Sequence, residues 1–459
     1  MNAMPQSPSP EHQLTIVAGE GSGDIYGAAL ARALQTRLPG VESSAVAVKP
    51  CGREKEGLKR RLGENNSMTN HSRAFMGIFL SLLFSGVLLL TAEGSRAADQ
   101  SETYYPPSES AGGWRRCRND EEVRRLGEMD PKELARVGNI QLAFYGGPWQ
   151  LVVIRHDYLV KEWMGGNAMA QTTFDLWSGT KSATGIAYGL LLDDSRNHRL
   201  PKDAQIDLDS PAYSFIPEGY PLSDPAKEKI KLRHLLTMTS GIPGEDHGIE
   251  GFEVIEGGGE FEIALGRQPN RFGESAARLY AAPGEAWDYS DAGFAHLSLI
   301  FRNVMGQEIR DAMRTRVFEP IGIENGGWDN EGGGGNLGPH TNAHSGLHLS
   351  ARDLARLGYL TLHGGVWQGK QLVPKWWVDL ATHSSQTLNP SYGYTFWVNA
   401  VGKLCENAPK DAFAFSGFAT NRCFVVPSLD LVVVRLGYGP QPLAPKDVPL
   451  SSIIPAVIR

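Results

Sequence analysis

Strand-like and helical patterns are distributed unevenly along this chain, and that distribution limits the folds open to it. Strand-like apolar runs occupy 150–154 and 158–163, with His156-Asp157 between them as a hairpin turn. Four more such runs, 394–399, 412–415, 422–426 and 429–435, follow one another near the carboxyl end as sequential antiparallel strands. Between the two groups the pattern is helical, at 181–192, 230–238, 292–304 and 350–362. If the early hairpin joins the late strands, both ends of this region share one antiparallel sheet flanked by helices. The helical middle then makes a second lobe. The expected class is α/β (α+β).

The chain has 459 residues, room for two or three domains or for one large catalytic domain with appendages. At 41% hydrophobic and 21% charged it can bury a core of enzyme size. A formal net charge of −7 gives no overall attraction to nucleic acid, so no nucleic-acid partner is expected. The Gly-rich loops at 257–259 and 332–335 are not followed by Gly-Lys-Ser/Thr and read as connections. The four cysteines lack Cys-x-x-Cys spacing, which argues against a zinc or redox motif.

The amino-terminal part divides into pieces. In 1–70 a short apolar run at 14–18, the turn Gly19-Glu20-Gly21-Ser22-Gly23-Asp24, a helical pattern at 25–38 and a second apolar run at 45–48 open a parallel α/β unit. Residues 12–48 resemble the amino-terminal fragment of lipid-A-disaccharide synthase, a glycosyltransferase. One such unit cannot bury enough surface to work as a domain, so 1–70 reads as a non-functional fragment. Lys59-Arg60-Arg61 and Arg73 precede an uncharged apolar stretch at 74–92, and Gly94-Ser95-Arg96-Ala97-Ala98 follows it. Residues 74–98 are a signal peptide or, uncleaved, a membrane anchor through 74–92. The protein is therefore expected to be exported, periplasmic or secreted. A polar, Pro/Ser-containing linker covers 99–118, and Asp130-Pro131 caps a short helix reaching 137. The main domain spans 119–445.

Chemistry concentrates in Phe174-Asp175-Leu176-Trp177-Ser178-Gly179-Thr180-Lys181-Ser182-Ala183-Thr184-Gly185. Ser178 stands just ahead of a helical pattern, and Lys181 follows three residues on, so both side chains leave one face. The hydroxyl lies near the positive end of the helix dipole, and a lysine amine held neutral can act as its general base. Alone, the spacing also fits a helix cap followed by a surface lysine.

Further motifs change that balance. Ser178-Gly179-Thr180-Lys181, Tyr289-Ser290-Asp291 and His234-Leu235-Leu236-Thr237-Met238-Thr239-Ser240-Gly241-Ile242-Pro243 together resemble the serine β-lactamase and penicillin-binding-protein superfamily, in its class C-like branch. Gly346-Leu347-His348-Leu349-Ser350-Ala351-Arg352-Asp353-Leu354-Ala355 and Val425-Val426-Pro427-Ser428-Leu429-Asp430 match as well. The resemblance covers about 120–440. It implies that Ser178 is acylated, that Lys181 takes its proton or holds the charge that lets another group do so, and that Tyr289 is a third catalytic residue. A tyrosine, with a pKa near ~10, becomes a base when a lysine cation sits beside it. Asp291 stands where the family more often has asparagine, and its negative charge leaves the general base open. The third family motif falls on Phe415-Ser416-Gly417, with the N–H groups of Phe418 and Ser178 as the implied oxyanion hole. The cation usual at that strand is missing, which favours an ester or neutral amide beside an apolar Phe415; Arg422 is a nearby replacement.

His340, His344 and His348 recur every four residues, but Gly346 interrupts any helix, and they read as structural or solvent-facing. No metal or cofactor is expected. Cys405 and Cys423 flank adjacent strands and form either a disulfide or two buried thiols. The reading is a serine hydrolase acting on a small-molecule ester, amide or peptide. The alternatives are a β-lactamase or D,D-peptidase, and a catalytically silent binding protein of the same fold.

Overall fold

In the computed structural model, residues 103–144, 147–201, 204–249, 258–437 and 449–458 are described. The α/β fragment, the apolar stretch 74–98 and Cys51 lie outside them. Among the described residues no helix is long and apolar enough to cross a membrane.

The two groups of strands do join. The hairpin consists of β1 (Trp149–Arg155) and β2 (Tyr158–Gly165), and the late strands are β3 (Trp397–Val398), β4 (Phe413–Ser416), β5 (Arg422–Val426) and β6 (Leu431–Gly437). They form one antiparallel sheet in the order β3-β4-β5-β6-β1-β2, with the first strand in sequence beside the last. His156 and Asp157 both have positive φ, 48° and 66°, as a tight two-residue hairpin turn demands.

Why β6 reads as the unbroken apolar run Leu431-Val432-Val433-Val434 follows from burial on both faces. Val432, Val434 and Leu436 point into the large inner core, whereas Leu431 and Val433 point into a smaller outer one. Helix α1 (Pro131–Phe144) and the turn of helix Leu450–Ile453 cover the outer face. α1 extends well past residue 137, where the expected helix stopped.

The inner side is built around three long helices. They are α2 (Thr180–Arg196), α3 (Asp291–Met305) and α4 (Ala351–Leu362). α4 lies on β6 and β5, and Gly358 permits the close approach: a Cβ there would meet Cys423 Sγ at 2.6 Å. Ser290 and Ser350 cap α3 and α4 by accepting from Gly293 N at 2.9 Å and Asp353 N at 3.2 Å.

One expectation needs correction, and one open alternative is decided. Residues 103–118 do not behave as a linker but strap the body of the domain. Arg356 on α4 donates to Pro106 O at 2.9 Å, Tyr105 packs on Trp367, and Trp114 is buried. Prolines supply carbonyls without competing N–H groups, so a polar Pro-rich stretch can satisfy a buried guanidinium. Cys405 and Cys423 are not joined either. Cys405 belongs to the outer core and Cys423 to the inner, so the sheet stands between them.

Candidate active site

Ser178 occupies a 3-10 turn, Trp177–Gly179, that runs directly into α2. Side chains of the first helical turn pin its start. Thr180 Oγ1 accepts from Leu347 N at 3.1 Å, Ser182 Oγ donates to Thr395 O at 2.8 Å, and Thr184 Oγ1 donates to Ala343 O at 2.7 Å. Trp177 has a φ of 50°, a strained value for a bulky residue, directly before the serine. Its amide donates to Asp175 Oδ1 at 2.8 Å, and its ring meets Phe418 edge-on at 5.5 Å.

One turn on, Lys181 is buried with its Nζ 3.0 Å from Ser178 Oγ. The same Nζ lies 3.2 Å from His344 O and 2.6 Å from Asp291 Oδ1. Three acceptors thus meet the three donors of an ammonium. The Tyr289 ring centroid is 4.8 Å from Lys181 Nζ. Burial and the neighbouring Asp291 push the Tyr289 phenol well above its ordinary value, so it stands here as a proton donor and not as a ready phenolate base. Burial would raise Asp291, but Lys181 and His344 outweigh it and hold the carboxyl below its usual range.

The third strand motif also reaches the serine. Gly417, bonded through its amide to Asn421 O at 2.8 Å, lies against the Leu176–Gly179 backbone, where a Cβ would collide with Leu176 O. Ser416 Oγ accepts from Arg422 Nε at 2.9 Å, which brings a guanidinium to this strand. Phe415 does not face the site: it is buried in the inner core, its ring 5.0 Å from Phe396. Trp287, Tyr289, Tyr392 and Trp397 form an aromatic cluster, with Tyr289 stacked on Trp397 at 6.2 Å.

The sequence profile of the beta-lactamase family matches residues 149–449, well over half of the chain. The chain belongs to the beta-lactamase family. An uncharacterized protein of Alkalihalophilus pseudofirmus is 23% identical over 326 residues, covering 64% of this chain and 84% of its own length. The 6-aminohexanoate-dimer hydrolase of Paenarthrobacter ureafaciens is 23% identical over 314 residues, 63% of this chain and 72% of that one. Among solved structures, EstCE1, described as a hydrolase with promiscuous acyltransferase activity, aligns with a TM-score of 0.53 at 16% identity. That alignment covers 74% of this chain and 99% of the other, and shows a shared fold.

Within this beta-lactamase family fold, Ser178, Lys181, Tyr289 and Asp291 are gathered as a group, and Gly417 and Phe418 border the serine turn. Two residues escaped the sequence. His344 Nε2 lies 2.8 Å from Glu331 Oε1, and its Nδ1 is 3.7 Å from Asp291 Oδ2. The three regularly spaced histidines do not converge, because each has its own acid: His340 meets Glu308 and His348 meets Asp329, both at 2.9 Å. No group of metal-ligating side chains occurs among the described residues. Nothing in the spacing of the histidines marks His344 as the one that turns toward Asp291.

Proposed function

We propose that this chain is a serine hydrolase that cleaves an ester or amide bond through an acyl-enzyme on Ser178. The observation that carries the reading is Lys181 Nζ at 3.0 Å from the Oγ of a partly exposed Ser178, with the Tyr289 ring centroid 4.8 Å from the same Nζ. In its amine form Lys181 keeps its bonds to Asp291 and His344 O and turns its lone pair on Ser178. Ser178 Oγ attacks the substrate carbonyl carbon while its proton passes to Lys181. The backbone N–H groups of Ser178 and Phe418 receive the oxyanion. As the tetrahedral intermediate collapses, the neutral Tyr289 phenol protonates the leaving oxygen or nitrogen, and the proton on Lys181 replaces it. Water then attacks the acyl carbon as it gives a proton to the same groups, the bond to Ser178 Oγ breaks, and that proton returns to Oγ as the acid leaves. The 6-aminohexanoate-dimer hydrolase among the relatives supports an amide as one substrate class.

A second reading, a β-lactamase or D,D-peptidase, is favoured by Arg422, whose contact with Ser416 supplies a cation for a substrate carboxylate. Residues 99–459 should label with a fluorophosphonate and turn over a p-nitrophenyl ester, and Ser178→Ala should abolish both. Labelling that persists in Ser178→Ala rejects this nucleophile, and its absence in both proteins favours the silent binding protein. Turnover of a chromogenic cephalosporin above that of the ester selects the second reading. We further propose export through 74–98, with 1–70 inactive. A secreted protein whose mature terminus lies upstream of residue 74 contradicts cleavage there.

A further inference from the structure

Lys181 is one end of a chain of four charged side chains. Asp291 Oδ1 stands 2.6 Å from its Nζ, Asp291 Oδ2 faces His344 Nδ1 at 3.7 Å, and Glu331 Oε1 is 2.8 Å from His344 Nε2. The side chains of Lys181, His344 and Glu331 are only 2%, 10% and 2% exposed, while Asp291, at 30%, opens to solvent. Each comes from a different element: α2, α3, the loop after the strand His340–Thr341, and the short strand Asn330–Glu331. Cation and carboxylate alternate along it.

The charge count assigns a task to His344. Once Lys181 has taken the serine proton, a neutral imidazole leaves two carboxylates facing one ammonium in a largely dehydrated site, and the net charge is −1. An unopposed negative charge there disfavours both the serine alkoxide and the oxyanion that acylation builds. With an imidazolium the four charges sum to zero and each carboxylate has a cation on it. Among the described residues, Glu331, Asp291 and Lys181 act on the ring. Burial opposes its charge and so does Lys181, but the two carboxylates outweigh them and hold His344 above the ordinary imidazole range. Both ring nitrogens then donate, Nε2 to Glu331 and Nδ1 toward Asp291.

We propose that His344 is a positioning residue whose imidazolium balances Asp291, so that Lys181 serves Ser178 without an uncompensated carboxylate beside it. The proposal rests on the serine-hydrolase reading. His344 does not touch substrate; it acts through Asp291 on Lys181. As pH rises and His344 loses its proton, kcat/KM falls, and this sets the alkaline limb of the rate profile.

The test is a double-mutant cycle on ester hydrolysis, with circular dichroism to show that each variant folds. His344→Gln should lower kcat/KM by about tenfold or more at neutral pH and remove the alkaline limb. Adding Asp291→Asn to His344→Gln should recover most of that loss, because without the carboxylate no balancing cation is needed. A His344→Gln variant as active as the parent overturns the proposal, and so does a loss that Asp291→Asn leaves in place. A second measurement needs no turnover: an NMR titration of the histidine rings in the Ser178→Ala protein. His344 should be protonated near neutral pH, with a lower midpoint once Asp291→Asn is added; a neutral ring overturns the charge assignment. Absence of any Ser178-dependent labelling in the parent rejects the hydrolase reading instead, and the titration then decides the charge assignment alone.

Discussion

Two buried lysine–histidine sites adjoin α3, and they differ in whether carboxylates accompany them. At the first, Lys181 and His344 alternate with Asp291 and Glu331. At the second, Lys227 Nζ donates to Leu265 O at 3.0 Å and Ala276 O at 2.8 Å. Near it, His296 Nδ1 donates to Ala292 O at 2.8 Å, so its Nε2 accepts from the Tyr213 hydroxyl at 2.8 Å. Burial pushes Lys227 down to about 8, with Asp224 only partly opposing it. Burial, and then Lys227, push His296 down to about 3. The same two residue types therefore tie loops together with lowered pKa values in one place, while in the other the carboxylates hold His344 up. What separates them is the supply of buried carboxylates, since a desolvated cation persists only where an anion compensates it.

The difference can be broken most forcefully by removing each lysine. Lys181→Met should lower kcat/KM by about a thousandfold while unfolding near the parent midpoint. Lys227→Met should stay within about threefold in activity but lose about 2 kcal/mol in urea titration, because two buried carbonyls lose their donor. Equal activity losses in both variants would erase the distinction.

The histidines sharpen it through pH. His296 has a folded pKa of about 3 against 6.5, so the unfolded chain binds more protons between those values and stability falls as the solution is acidified. Between pH 6.5 and about pH 4 the parent should lose about 3 kcal/mol relative to His296→Gln, measured by urea unfolding across that range. Parallel curves for the two proteins would show that His296 carries a proton in the folded state.

Lys227 supplies the smallest effect and the opposite window. Its folded pKa of about 8 lies below 10.5, so stability is flat below about 8 and rises as pH increases above it. Relative to Lys227→Met, the parent should gain about 2 kcal/mol between about pH 8 and about pH 10. A difference that does not change with pH would place a charge-compensating group beside Lys227 after all.

Local pattern carried much of the site and most of the sheet. Ser178 and Lys181 are one helical turn apart, and Tyr289 and Asp291 straddle the cap Ser290, so a single turn of backbone sets their spacing. Apolar runs showed which segments are strands, and the turn at His156-Asp157 closed the hairpin as read. Phe415 misled, because a family position beside the site is here a core residue packed edge-on against Phe396, and a sequence does not say which way a strand end twists. The strap at 103–118 misled for a related reason. Its polar and Pro-rich composition is that of a spacer until a buried guanidinium such as Arg356 needs its carbonyls.

By itself, then, the sequence pointed to the sheet's strands and to the Ser178–Lys181 turn through repeats of two and of three to four residues, while Tyr289 came from the family resemblance. Only the tertiary structure decided which of three evenly spaced histidines meets Asp291, that Glu331 backs it, that Arg422 holds Ser416, and that a sheet separates Cys405 from Cys423. Those pairings cross loops of irregular length. They are set by how packed elements meet, and backbone periodicity carries no information about where a distant carboxylate arrives.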